Sequence, residues 1–210
     1  MGQSGAVFVC PRLYDNLEST SWTHIVNTLL HETLHALVLN SESWESFIDV
    51  DTGRSVPRSS VIRTEKAKYS DSPDRSFVIT PTVKKLLAAQ FDREVAEQGL
   101  LLENEDGGNH LESRVFYHSL MSASTSPAYA DVIDMYPFAV MHDSGHYRVD
   151  LDHVASGNRQ SPWGRQHGLD FYVGDCVGRS VSTPHTKFPG HFDVMSDAIE
   201  ISRTTLPQLK

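Results

Sequence analysis

The chain has 210 residues, 39% hydrophobic and 21% charged, which is long enough for one domain with its own core and too apolar for a disordered segment. A net charge of −9 offers nothing to neutralise phosphates and so excludes a generic nucleic-acid binder. No apolar run reaches the roughly 18 residues a membrane span needs, no basic-then-apolar leader is visible, and two cysteines do not make a disulfide-stapled framework.

Residues 5–10, GAVFVC, predict a short apolar strand closed by Pro11. From Ser21 to Leu39 the apolar residues Ile25, Val26, Leu29, Leu30, Leu34, Leu37 and Val38 recur at steps of three and four. That spacing predicts an amphipathic helix, with Ser21 or Thr23 as its N-cap. Residues 40–79 open with a polar stretch rich in Ser, Asp and Arg, broken by Pro57 and Pro73, and predict a long surface insertion. A second helix is predicted over 80–91, capped by Thr80 with Pro81 at its first position. EDGGNH (105–110) predicts a turn, and 134–145 a third helix with Pro137 in its first turn and Gly145 as its stop. Beyond Cys176 the periodicity fades and no element is assigned; nothing signals a repeat or a second domain.

The chemistry concentrates in LLHETLHALVLN (29–40). His31-Glu32-x-x-His35 places two imidazoles one helical turn apart, so that both can offer a nitrogen to one ion. Glu32 is directed about 100° round the helix and can sit beside a metal as a base without ligating it. The compact pattern for a third ligand fails, because its glycine and histidine positions hold Val38 and Ser41. The remaining candidates are His110, His118, the pair His142 and His146, His153, His167, and the carboxylates Glu94 and Glu97. His110 follows a flexible Gly107-Gly108-Asn109 turn, and eleven residues later Met121 lies among small residues in SLMSAS. Gly145 between His142 and His146 makes that pair diverge, and His118 sits on an apolar stretch that favours packing.

Taken in order, these segments resemble leishmanolysin, a metzincin-type zinc endopeptidase family whose third histidine follows a long insertion. GAVFVCP resembles the strand before the active-site helix, HETLHAL the helix, and ITPTVKKLLAAQF the helix after the insertion. GLLLENEDGGNHLESR is similar to the segment with the third zinc histidine and LMSAS to the Met-turn, while HDSGHYRVD and PWGRQHGLDFYVGDC resemble the closing segments. The resemblance implies an α+β, mainly helical catalytic domain over residues 1–176 with a divergent tail at 177–210. It implies one Zn²⁺ held by His31, His35 and His110, Glu32 as catalytic base, Met121 as the Met-turn residue, and protein or peptide substrates. It also implies an extracellular or membrane-associated setting. Oligomeric state has no signature in the sequence.

Departures from the family pattern carry expectations of their own. Val38 replaces a glycine, which predicts a helix running one turn further with Asn40 as a left-handed cap. Asp92 and Leu169 stand where the resemblance places cysteines, leaving Cys176 without that partner. Only GAVFVC precedes the active-site helix, so the family's N-terminal sheet and Cys-rich C-terminal domain are expected to lie outside this chain. The apolar face of Ile25, Leu29 and Leu37 is then expected to lack part of its cover, and this chain alone to be a weak protease, or inactive, even with zinc bound. A zinc-binding or adhesion module without hydrolytic activity is the alternative reading; retention of Glu32 speaks for the enzyme.

Overall fold

The computed structural model describes residues 6–9, 22–66, 74–103, 108–117, 119–123, 134–157, 163–174, 177–178, 185–188, 191–195 and 198–201. The predicted first helix, α1, runs Trp22–Leu37. Its apolar stripe turns Ile25 and Leu34 inward, at 4% and 1% exposure, while Trp22 and Val26 face outward. Ile25 is therefore covered, against expectation, while Leu29 and Leu37 are half-buried. Thr23 lies inside the helix rather than at its cap, and Ser21 falls outside the described residues. Ala6–Val9 form no strand and are exposed, which corrects the first strand.

Helix α1 also ends sooner than Val38 suggested. The amides of Val38 and Leu39 both donate to the Leu34 carbonyl, at 2.9 and 3.0 Å, closing the helix with a wider i→i−5 bond. Asn40 does not adopt a left-handed conformation, since Gln166 is the one non-glycine residue with positive φ among those described. Its side chain closes the helix instead: Nδ2 donates to the His35 carbonyl at 2.8 Å, and Oδ1 accepts the Ser43 amide at 2.8 Å.

In the described parts of the insertion, 40–66 and 74–79, more side chains are buried than the composition suggested. Trp44, in a 3-10 turn over Ser43–Glu45, and Phe47 are both 1% exposed. After a single-turn helix α2 (Arg58–Val61), strands β1 (Ile62–Glu65) and β2 (Arg75–Val78) pair antiparallel, and β3 (Leu100–Leu102) adds to β2. The order is β1-β2-β3. All three leucines of β3 are buried, which is why the sequence LLL shows no alternation. Composition misled here because a few large apolar residues anchor an otherwise polar stretch.

Helix α3 (Pro81–Gln90) begins at Thr80 as predicted, with Pro81 in its first turn, but the Thr80 hydroxyl makes no capping bond. Asp143 caps it from a distance, its carboxylate accepting the Thr82 and Val83 amides at 2.8 and 3.3 Å. Asp143 closes α5 (Tyr136–Asp143), the third predicted helix, where Pro137 sits in the first turn. Gly145 ends it with φ 74°, and a Cβ there would meet the Ile48 carbonyl oxygen at 2.1 Å, so only glycine fits. Between α3 and β3 lies α4 (Arg93–Gln98), capped by Asp92, whose carboxylate accepts the Val95 amide at 2.8 Å. Helices α6 (Leu151–Gly157) and α7 (Gly168–Val173) follow. Among the described residues of the tail, left unassigned by sequence, β4 (Val177–Gly178) pairs antiparallel with β5 (His185–Thr186), and β6 (Phe192–Met195) with β7 (Ala198–Ile201). Helices around a small antiparallel sheet make the chain α+β. Among the described residues, no helix is long and apolar enough to cross a membrane.

Candidate metal centre

The 3.6-residue repeat brings His31 and His35 to one face of α1, with their Nε2 atoms 3.0 Å apart. A third imidazole arrives from the segment that follows β3. His110 Nε2 lies 3.1 Å from that of His31 and 2.9 Å from that of His35. The chain reaches this point by extending the sheet. Leu111 bridges both Leu102 of β3 and Ser122, the Glu103 amide donates to the His110 carbonyl at 2.9 Å, and the Leu111 amide donates to the Met121 carbonyl at 2.8 Å.

The outer nitrogens decide what the inner ones are. His31 Nδ1 lies 2.6 Å from the Leu120 carbonyl oxygen and His35 Nδ1 2.7 Å from that of Leu39. A carbonyl only accepts, so each Nδ1 carries the proton and, in the neutral ring, each Nε2 presents a bare lone pair. Burial holds both rings below the ordinary imidazole pKa of 6.5; His110 lowers His31 further, and His31 and His110 lower His35. The neutral ring, which is the metal-ligating form, is thus favoured. Two lone pairs 3.0 Å apart repel unless a cation lies between them. Nitrogens bound about 2.0–2.1 Å from a tetrahedral zinc sit about 3.3 Å apart, close to the spacings here. The donor set fits zinc.

Glu32 is exposed, and its negative charge acts on both His31 and His35. With His35, Ala36, Asn40, Glu42 and Ala6–Phe8 it lines a cavity of ≈ 470 Å³. Met121 is fully buried in the turn from Ser119 to Ser122, which also supplies the Leu120 carbonyl. Two further residues at the site had only weak sequence signals. Asn109 Oδ1 accepts the Ser41 amide at 2.9 Å, tying the third-histidine loop to the end of α1. Asp134 accepts from Ser119 Oγ at 2.5 Å and from the Leu120 amide at 3.1 Å. Asn109 stood out in sequence only as a turn residue, and Asp134 only as the start of a helix.

Among the described residues, His31, His35 and His110 form the one group of three or more His, Cys, Asp or Glu able to hold a metal. His142 is exposed on α5, and His146 Nε2 lies 2.7 Å from the Ser46 carbonyl oxygen, so this pair does diverge. His153, Glu94 and Glu97 are exposed, and the His167 ring lies against Phe171 and Phe188. His118, Cys10 and Cys176 fall outside the described residues, and with them the pairing of the cysteines. Asp92 and Leu169, where the resemblance implied cysteines, belong to neighbouring segments: a Cβ on Gly168 would lie 3.0 Å from Asp92 Oδ2.

Three histidines converging from a HExxH helix and a distant loop, with a glutamate alongside, make the kind of metal centre that metallopeptidases use. The leishmanolysin family model matches residues 12–204, and the chain belongs to that family. It is similar to the ciliated left-right organizer metallopeptidase of Homo sapiens, with 31% identity over 183 residues that cover 85% of this chain and 22% of that protein. The protein of the same name from Mus musculus is 30% identical over 172 residues, covering 80% of this chain and 24% of the relative. The chain thus spans about a quarter of the length of these relatives.

Proposed function

We propose that this chain is the catalytic portion of a zinc-dependent endopeptidase of the metzincin type. His31, His35 and His110 are its metal ligands, Glu32 its general base and Met121 its Met-turn residue, forming an apolar floor. The observation that carries this reading is the meeting of three Nε2 atoms at 2.9–3.1 Å, two of them on rings whose protons are held at Nδ1 by carbonyls. When bound there, zinc lowers the pKa of water towards about 7 and, as a Lewis acid, stabilises negative charge on a peptide carbonyl.

The chain's own residues supply the proton transfers. Glu32, exposed on the cavity beside His35, takes a proton from the attacking water and returns it to the leaving amine. The same cavity, with Ala6–Phe8 along one wall, leaves that carboxylate open to a substrate peptide. Protein or peptide substrates, and action outside the cell or at a membrane surface, follow the family's usual setting.

Metal content and casein hydrolysis of the purified chain test the reading. About one zinc per chain is expected, strongly reduced by His110→Ala and barely changed by His142→Ala. Glu32→Ala is expected to keep zinc and lose hydrolysis. Equal metal loss in the two histidine variants overturns the ligand assignment, and metal loss in Glu32→Ala overturns the base.

A further inference from the structure

Behind His31 runs a chain of hydrogen bonds that ends on a carboxylate. His31 Nδ1 donates to the Leu120 carbonyl oxygen at 2.6 Å. That carbonyl shares its peptide group with the Met121 amide, which donates to Ser119 Oγ at 3.0 Å. The Ser119 hydroxyl donates in turn to Asp134 Oδ2 at 2.5 Å. Every donor along this line points the same way, from imidazole to carboxylate.

We infer that Asp134 and Ser119 are positioning residues of the candidate metal centre, acting on His31 through the Leu120–Met121 peptide; this rests on the metal-ligand reading above. A hydroxyl bonded to a carboxylate becomes a better acceptor. An amide that donates to it shifts electron density onto its own carbonyl oxygen, and an imidazole bonded to that oxygen gains basicity at its far nitrogen. The arrangement performs the work of a carboxylate bonded directly to a ligating histidine, with a hydroxyl and a peptide inserted between.

The same contacts fix the turn. Asp134 also accepts the Leu120 amide at 3.1 Å and the Tyr136 amide at 3.0 Å. It therefore holds the turn and the start of α5 together even where Ser119 is altered, and Ser119 becomes the residue at which the relay can be cut alone. A control lies within the turn: Ser122 Oγ donates to the Ser119 carbonyl at 2.9 Å and takes no part in the line to His31.

The test uses the 210-residue chain with zinc affinity measured by chelator competition, the absorption spectrum of the cobalt-substituted protein, and thermal unfolding of the metal-free protein. Ser119→Ala is expected to weaken zinc binding about 10-fold or more and to shift the cobalt bands. Ser119→Thr should restore both, and Ser122→Ala should leave both as in wild type, with every metal-free variant still folded at the temperature of the binding measurement. Asp134→Asn should weaken binding at least as far as Ser119→Ala. Wild-type affinity and cobalt bands in Ser119→Ala overturn the relay. So does a loss shared equally by Ser122→Ala or not restored by threonine, since either shows a merely structural turn. Failure of the metal reading appears separately, as a wild-type chain that holds no zinc, and the relay falls with it.

Discussion

The two parts of the candidate centre are held by different kinds of interaction. On α1, His31 and His35 are neighbours because four residues make about one turn, and any stable helix with this sequence places them so. His110 has no such guarantee. It is set by contacts remote in sequence: Leu111 to Met121, Glu112 to Leu101, Asn109 to Ser41. The helix half is a local property and the loop half a tertiary one, so they should fail differently when damaged.

The largest effect should come from the helix. Leu34, 1% exposed beneath the motif, anchors α1 in the core, and Leu34→Ala should cost about 2–5 kcal/mol. Chemical denaturation should show that loss, while zinc affinity at temperatures where the variant is folded stays within about threefold of wild type. A large drop in affinity of the folded variant would mean that the helix geometry is not local after all.

Arg114 tests the loop half. Its guanidinium donates to the Phe171 and Tyr172 carbonyls at 2.6 and 2.7 Å, joining the segment after His110 to the end of α7. Arg114→Ala should cost about 1.5–3 kcal/mol and, unlike Leu34→Ala, should lower the zinc affinity of the folded protein as well. Unchanged affinity by chelator competition would show that His110 is held without this anchor.

Alkaline unfolding probes the sheet that carries the loop. Burial pushes the Tyr172 and Tyr136 hydroxyls above the ordinary tyrosine pKa. Tyr172 donates to the Gly99 carbonyl at 2.7 Å and accepts the Leu101 amide at 2.8 Å. Above pH of about 10 the unfolded chain releases these protons while the folded chain keeps them, so stability falls as pH rises, by about 1.4 kcal/mol per pH unit per tyrosine. Tyr172→Phe should flatten that slope above pH 10; an unaltered slope would assign the alkaline loss elsewhere.

The smallest effect should follow Asn109→Ala, which removes one exposed bond to the Ser41 amide. About 0.5–1.5 kcal/mol is expected, with a slight weakening of zinc binding. A loss as large as that of Arg114→Ala would make Asn109 the principal tie between the two halves.

What could be read from the sequence follows the same division. The apolar spacing of residues 25–38 and the HExxH motif located α1 and its two histidines, because helical periodicity depends only on neighbours a turn apart. Pro81 and Gly145 marked a helix start and stop through their own backbone preferences. The third histidine needed the likeness to leishmanolysin, since local residues left His110 one candidate among several.

Capping and burial were less legible. Thr80 stood in the cap position, but a carboxylate from α5 makes the bonds; Asn40 closes α1 with its side chain rather than a left-handed backbone. Residues 40–79 looked like surface because their composition is polar, yet Trp44 and Phe47 lie in the core and two strands of the sheet begin there. The relay from His31 through Ser119 to Asp134 left no mark at all. By itself the sequence determined the helix, its turn-spaced imidazoles and the glutamate beside them, since those relations are fixed by chain geometry over a few residues. Only the tertiary structure decided where His110 meets them and what stands behind His31, because both depend on contacts closed between residues 79 and 89 positions apart in the chain.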